Sequence, residues 1–132
     1  MKYLGVDYGS KRIGLATSTP DGAMAFPHSV VEVKGRTAAL IAHQIANICA
    51  MEEVEAVIVG ESKNYQGKDN VIMASAKDFI NEFSKISKIP VDTYPEFMTS
   101  HQAAALQGEN SMLDASAAAI ILQSYLDAHK LS

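Results

Sequence analysis

Tyr3-Leu4-Gly5-Val6-Asp7-Tyr8-Gly9-Ser10-Lys11-Arg12-Ile13-Gly14-Leu15-Ala16 reads as a short apolar strand, a carboxylate, a glycine-containing turn and a second apolar strand. An Asp at the end of a buried strand is costly unless something pairs with it. A divalent metal, alone or carried with a phosphate, is a partner that suits hard carboxylate oxygens. Asp7 is therefore the first candidate ligand of an acidic metal site.

Outward from this stretch, Lys2 to Asp7 and Arg12 to Ser18 form an antiparallel hairpin closed by Gly9-Ser10-Lys11. Thr19-Pro20-Asp21-Gly22 is a turn, with Pro presetting φ and Gly accepting a positive one. A third strand runs from about Met24 to Val33, and Pro27 within it points to an edge position. Thr37 is a helix N-cap, followed by Leu40, Ile41, Ile45, Ile48 and Cys49 at helical spacing to about Glu52. Ala56 to Gly60 is an uninterrupted apolar run that fits a central parallel strand.

A polar loop, Glu61 to Lys68, leads to a helix over Asp69 to Ser87, with Ile72, Ala76, Phe79, Ile80, Phe83 and Ile86 on one face. Pro90 to Tyr94 is a fifth strand, parallel to the fourth because a helix joins them. Thr99 and Gln102 have capping-box spacing for a short helix to about Leu106. A last helix covers Leu113 to about His129, and its small residues Ala115 to Ala119 permit close approach to the sheet. The class is α/β: a five-stranded mixed sheet, three antiparallel strands then two parallel ones, with helices on both faces.

In open sheets of this kind ligands gather at the carboxyl ends of the strands. Asp7, Glu61 and Glu96 end or follow strands there, and Asp114 begins the helix that can fold back over the same edge. Mg2+ or Mn2+ takes such oxygen ligands, and paired ions about 3.5–4 Å apart hydrolyse phosphodiesters. Without metal, carboxylates so gathered repel one another. Each alone has a plainer role: Asp7 a turn cap, Glu61 a solvated residue, Glu96 a partner of Lys63, Asp114 an N-cap.

The 132 residues, 48% apolar and 20% charged, make one domain spanning 1–132. No apolar run approaches the roughly 18 residues of a membrane span. The opening residues lack a signal-peptide pattern, so a cytoplasmic protein without membrane association is expected. The single cysteine, Cys49, excludes an internal disulfide and reads as a small buried hydrophobe. A net charge of −4 argues against a generic nucleic-acid coat but not against a nuclease with bases in its loops, such as Lys11, Arg12, Lys63 and Lys68. The four histidines show no metal-ligand spacing, and only His101 is expected near the acidic edge. Thr99 and Ser100 are placed to donate to a phosphate, and Tyr65 to stack on a base.

Gly5 to Ala16 resembles the opening motif of the YqgF family, RNase H-like proteins described as pre-16S rRNA nucleases or Holliday junction resolvases. The likeness continues in order through Ala25-Phe26-Pro27, Val57 to Gly60 with Asn64 and Gly67, Glu96 with Thr99, and Asp114 with Ala117, Ala118 and Ile121 to Leu126. It implies an RNase H-like fold and a catalytic, metal-binding set of Asp7, Glu96 and Asp114 with Mg2+ or Mn2+. Nucleic-acid contacts are expected from Lys11, Arg12, Lys63, Asn64, Lys68, Thr99 and Ser100. Pro95-Glu96-Phe97 stands where the family has Asp-Glu-Arg, and the segment before Asp114 is short and lacks a basic loop. Gly60-Glu61-Ser62 replaces Gly-Leu-Pro and adds a carboxylate, so Glu61 is expected as an extra metal ligand.

The leading expectation is an endonuclease trimming the 5′ end of precursor 16S rRNA, in ribosome biogenesis, as a monomer or homodimer. The alternatives are a dimeric junction-resolving DNA nuclease and a non-catalytic nucleic-acid-binding protein of the same fold. A sugar-kinase-like ATPase needs two lobes, and a receiver domain conflicts with the opening hairpin.

Overall fold

The computed structural model describes residues 1–9, 11–62, 69–96 and 111–130, with the backbone alone at 61, 62, 69–73, 95, 96, 111–114 and 130. In chain order the elements are β1 (Tyr3–Tyr8), β2 (Arg12–Ser18), β3 (Ala25–Glu32), α1 (Ala38–Glu52), β4 (Ala56–Ser62), α2 (Asp69–Ile86), β5 (Val91–Glu96) and α3 (Ser111–Lys130). The strands form one sheet in the order β3-β2-β1-β4-β5. β2 is antiparallel to β1 and β3, while β4 is parallel to β1 and β5.

Strand alternation builds two apolar layers from one sheet. Leu4, Val6 and Tyr8 of β1, Ile13 and Leu15 of β2, and Val57 and Val59 of β4 are buried against Ile41, Ile45 and Cys49 of α1 and Phe79 and Phe83 of α2. The intervening positions turn to α3, where Ala16 and Ile58 pack with Ala118, Leu122, Tyr125 and Leu126. Helices therefore cover both faces, two on one side and α3 on the other. Thr37 caps α1, its hydroxyl accepting from the Leu40 N–H at 3.2 Å. Pro27 lies in edge strand β3, beside a bulge at Leu15/Ala16.

Several boundaries differ from the sequence expectation. β1 extends one residue, to Tyr8, and β4 and β5 run on to Ser62 and Glu96, so Glu61 and Glu96 lie within strands rather than after them. The reason is mutual pairing: Glu61 is level with Pro95 and Ser62 with Glu96, which draws polar residues into the ladder. Leu40 and Ile86, expected on the apolar faces of their helices, are exposed. The short helix expected from Thr99 to Leu106 lies outside the described residues. Among the described residues no helix is long and apolar enough to cross a membrane.

Candidate metal and nucleic-acid site

Three parallel strands, β1, β4 and β5, end at the same edge of the sheet. Val6 is level with Val59, so Asp7 continues the row to Gly60 and Tyr94. Glu96 lies two residues beyond Tyr94, paired with Ser62. Two strand spacings, about 10 Å, and a two-residue advance, about 7 Å, thus separate the backbones at Asp7 and Glu96.

The odd positions of β1 lie beneath α3. Tyr3 meets Tyr125 with ring centroids 5.8 Å apart. A Cβ at Gly5 would stand 2.7 Å from Leu122 Cβ and 3.1 Å from the Ala118 carbonyl. α3 thus runs antiparallel to β1, with Leu122 and Ala118 over Gly5. Asp7 is half-buried one strand step further on. Asp114 is one helical turn before Ala118, in the first turn of α3. The strand step is about 7 Å and the helical turn about 6 Å, so positions 7 and 114 advance by similar distances from the Gly5–Ala118 contact towards the same end of the sheet.

β5 adds a third position to this layer. Tyr94 packs edge-on to Tyr125, centroids 5.8 Å apart, and Glu96 shares its parity. Glu61 differs: position 61 has the parity of Val57 and Val59, which belong to the layer of α1 and α2. Gly60, by contrast, lies under α3, where a Cβ would be 2.7 Å from Ile121 Cδ1. Among the described residues no three His, Cys, Asp or Glu side chains gather into a metal-holding group; those of Glu61, Glu96 and Asp114 lie outside that description.

Lys11 and Arg12 sit at the same end of the sheet, in the turn after β1 and at the start of β2. Gly9 closes that turn, donating to the Arg12 carbonyl at 3.1 Å. A Cβ there would lie 2.5 Å from the same oxygen, so the tight turn demands glycine. Lys11 is exposed, and its carbonyl accepts from Val33 at 3.0 Å. Lys63, Asn64, Tyr65, Lys68, Thr99, Ser100 and His101 lie outside the described residues. Of the other histidines, His28 is 3.5 Å from Glu52, His43 is exposed on α1, and His129 stacks on Tyr125 at 3.9 Å.

One residue with no expected role stands out. Gln123 of α3 accepts from the Ala25 N–H at 2.9 Å and donates to the Ala23 carbonyl at 3.2 Å and to Asp127 at 3.0 Å. Its sequence signal is faint: an amide within the mostly apolar run Ala117 to Leu126.

The family model described as "RuvX: Holliday junction resolvase" matches residues 1–128. A protein of Nitratidesulfovibrio vulgaris (strain Miyazaki F) named "Putative pre-16S rRNA nuclease" is 33% identical, covering 96% of this chain and 94% of its own. A relative of the same name from Syntrophomonas wolfei is 32% identical over 99% of this chain and 97% of its own. Among solved structures, Thermus thermophilus RuvC bound to a Holliday junction substrate superposes with a TM-score of 0.62 at 19% identity, covering 98% of this chain and 96% of the other. The fowlpox virus Holliday junction resolvase gives 0.56 at 16% identity, covering 97% and 99%. The two structures share the fold, a resolvase fold of the RNase H-like kind.

Proposed function

The chain belongs to the RuvX family, and on that premise we propose that it is a metal-dependent endonuclease that processes the 5′ end of precursor 16S rRNA. The observation that supports the site is the matched step of β1 and α3: position 7 lies one strand step beyond Gly5 and position 114 one helical turn beyond Ala118, towards the same end of the sheet, and position 96 shares the strand parity of Tyr94. The RNA substrate is supported by relatives named pre-16S rRNA nuclease at about a third identity over nearly the whole chain.

Asp7, Glu96 and Asp114 are the residues that would hold Mg2+ or Mn2+. Carboxylate oxygens alone are the donor set these hard ions take. When bound, the metal supplies Lewis-acid stabilisation of phosphate oxygens and a water of lowered pKa. This chain's own contribution is to fix the acids on two rigid strands and one helix, so the scissile phosphate is met by a preformed array. Lys11 and Arg12 hold flanking phosphates at the same sheet end, with Lys63, Asn64, Lys68, Thr99 and Ser100 from the segments that follow β4 and β5. Glu61 is retained as an additional ligand to be tested, since its strand parity separates it from the other three.

The test incubates the protein with a precursor rRNA fragment and, separately, a four-way DNA junction, in Mg2+ and in Mn2+. Cleavage of the RNA is expected, lost with EDTA and restored by metal. Loss of a group that merely supports a ligand costs about 10–100-fold, so Asp7→Asn, which removes a ligand, should cost at least about a hundredfold with the fold retained by circular dichroism. Symmetric cutting of the junction alone would establish the second reading, favoured by the family description and the RuvC likeness. Strong binding without turnover of either would leave a binding protein. Glu61→Gln lowers cleavage and Mn2+ affinity if Glu61 is a ligand, and unchanged values remove it from the set.

A further inference from the structure

Two of the three hydrogen bonds of Gln123 link α3 to a part of the sheet far from the acidic edge, and the third, to Asp127, stays within the helix. Ala25 opens β3, and Ala23 ends the turn before it. That turn is itself braced. Thr19 Oγ1 accepts from the N–H groups of Ala23 at 3.1 Å and Met24 at 3.2 Å, and donates to Asp21 at 2.6 Å. The Thr19 N–H donates to the Met24 carbonyl at 2.9 Å, and the N-terminal amine to the Pro20 carbonyl at 2.9 Å. Gln123 thus grips a backbone segment with little freedom of its own. Its oxygen takes one N–H, and its two amide hydrogens go to a carbonyl and a carboxylate.

Apolar contacts make up much of the α3 seat among the described residues: Leu122 and Ala118 on Gly5, Ile121 on Gly60, Tyr125 against Tyr3 and Tyr94. Apolar contact is non-directional and resists a small roll or slide of the helix weakly. Hydrogen bonds are directional and resist both. The lever is long enough to matter. A side chain projects roughly 5–6 Å from the helix axis, so a 20° roll moves its tip about 2 Å. A slide of one residue is about 1.5 Å. Metal–oxygen distances tolerate only about 0.2 Å.

We propose that Gln123 is a positioning residue, whose amide fixes the roll and slide of α3 on the sheet and thereby sets Asp114 against Asp7. The inference rests on the metal-site reading above. Its action is remote: Gln123 lies nine residues along α3 from Asp114, about 13 Å of helix.

The experiment measures Mn2+ affinity of the whole protein by calorimetry, beside its melting temperature. Gln123→Met is expected to weaken Mn2+ binding about tenfold, within the range for a group that orients a ligand. Thr37→Ala is the stability control, because it removes the N-cap bond of α1 on the opposite face. It should lower the melting temperature and leave Mn2+ affinity unchanged. Gln123→Glu keeps an acceptor for Ala25 but sets a carboxylate against the Ala23 carbonyl and Asp127, so it is expected to weaken Mn2+ binding at least as much as Gln123→Met; it also serves if Gln123→Met does not fold. Asp7→Asn and Asp114→Asn should each abolish Mn2+ binding. If they do while both Gln123 variants bind as wild type, the positioning role is overturned and the metal site stands. If Thr37→Ala weakens Mn2+ binding as much as Gln123→Met, general loosening replaces positioning. If Asp7→Asn and Asp114→Asn bind as wild type, the metal-site reading fails and the role of Gln123 falls with it.

Discussion

Cys49 sits on the buried stripe of α1 with 1% of its surface exposed, among Ile41 and Ile45. Burial disfavours the thiolate and raises the thiol from 9.0 to about 11. The folded chain therefore holds this proton more tightly than the unfolded one, and the stability it contributes is complete below about pH 9 and lost as pH rises through about 11. Tyr8, raised by burial and then by Asp78, and Tyr125, raised by burial and then by Asp92 and Tyr3, act in the same direction at higher pH. The melting temperature is expected to fall between pH 8.5 and 10.5, and to fall less steeply in Cys49→Ala. An equal slope in both would assign the loss to the tyrosines. Native Cys49 should also resist iodoacetamide at pH 8, reacting only after unfolding.

Two glycines at the sheet–helix seam separate kinds of close packing. At Gly5 an added methyl meets Leu122 Cβ at 2.7 Å and a helix carbonyl at 3.1 Å, neither of which can rotate away. At Gly60 the nearest atom is Ile121 Cδ1 at 2.7 Å, the end of a flexible side chain. Overpacking costs about 1–3 kcal/mol, and Gly5→Ala is expected at the upper end with Gly60→Ala at or below the lower. Urea melts of the two variants measure the difference; equal losses would show that α3 shifts as freely over Gly5 as Ile121 turns over Gly60. The elements themselves were largely legible in the sequence. Alternation in β1 and β2, the Thr37 cap and the apolar run of β4 stated their structure locally. The ends of β4 and β5 were not legible, because Glu61, Ser62 and Pro95 read as loop and become strand only through each other. Pro95 can be there because β5 is an edge. The parity of Glu61 depends on that extension, so its face was not legible either.

Across the whole molecule, the gathering of the candidate ligands towards one sheet edge is legible from the order of strands and helices, whereas the spacing of their backbones is not. Asp7, Glu96 and Asp114 come from separate segments, and only sheet order and the seat of α3 relate them. Gln123 was missed because its partners are backbone groups about a hundred residues away. With a net charge of −4, attraction to nucleic acid must be local. If Lys11 contacts a phosphate, Lys11→Ala should weaken RNA binding across sequences and reduce the slope of log affinity against log salt by about 1. An unchanged slope in a filter-binding titration would place Lys11 off the nucleic-acid path.

The seat of α3 has a consequence for how the protein is born. α3 follows every strand of the sheet in chain order, and it covers β1 and β2, the first two made. Until it emerges, Ala16, Ile58 and Tyr94 form a bare apolar sheet face on the nascent chain, while the opposite layer can close as soon as α2 is made. Translation therefore makes all five strands and the α1–α2 layer before the helix that covers this second face.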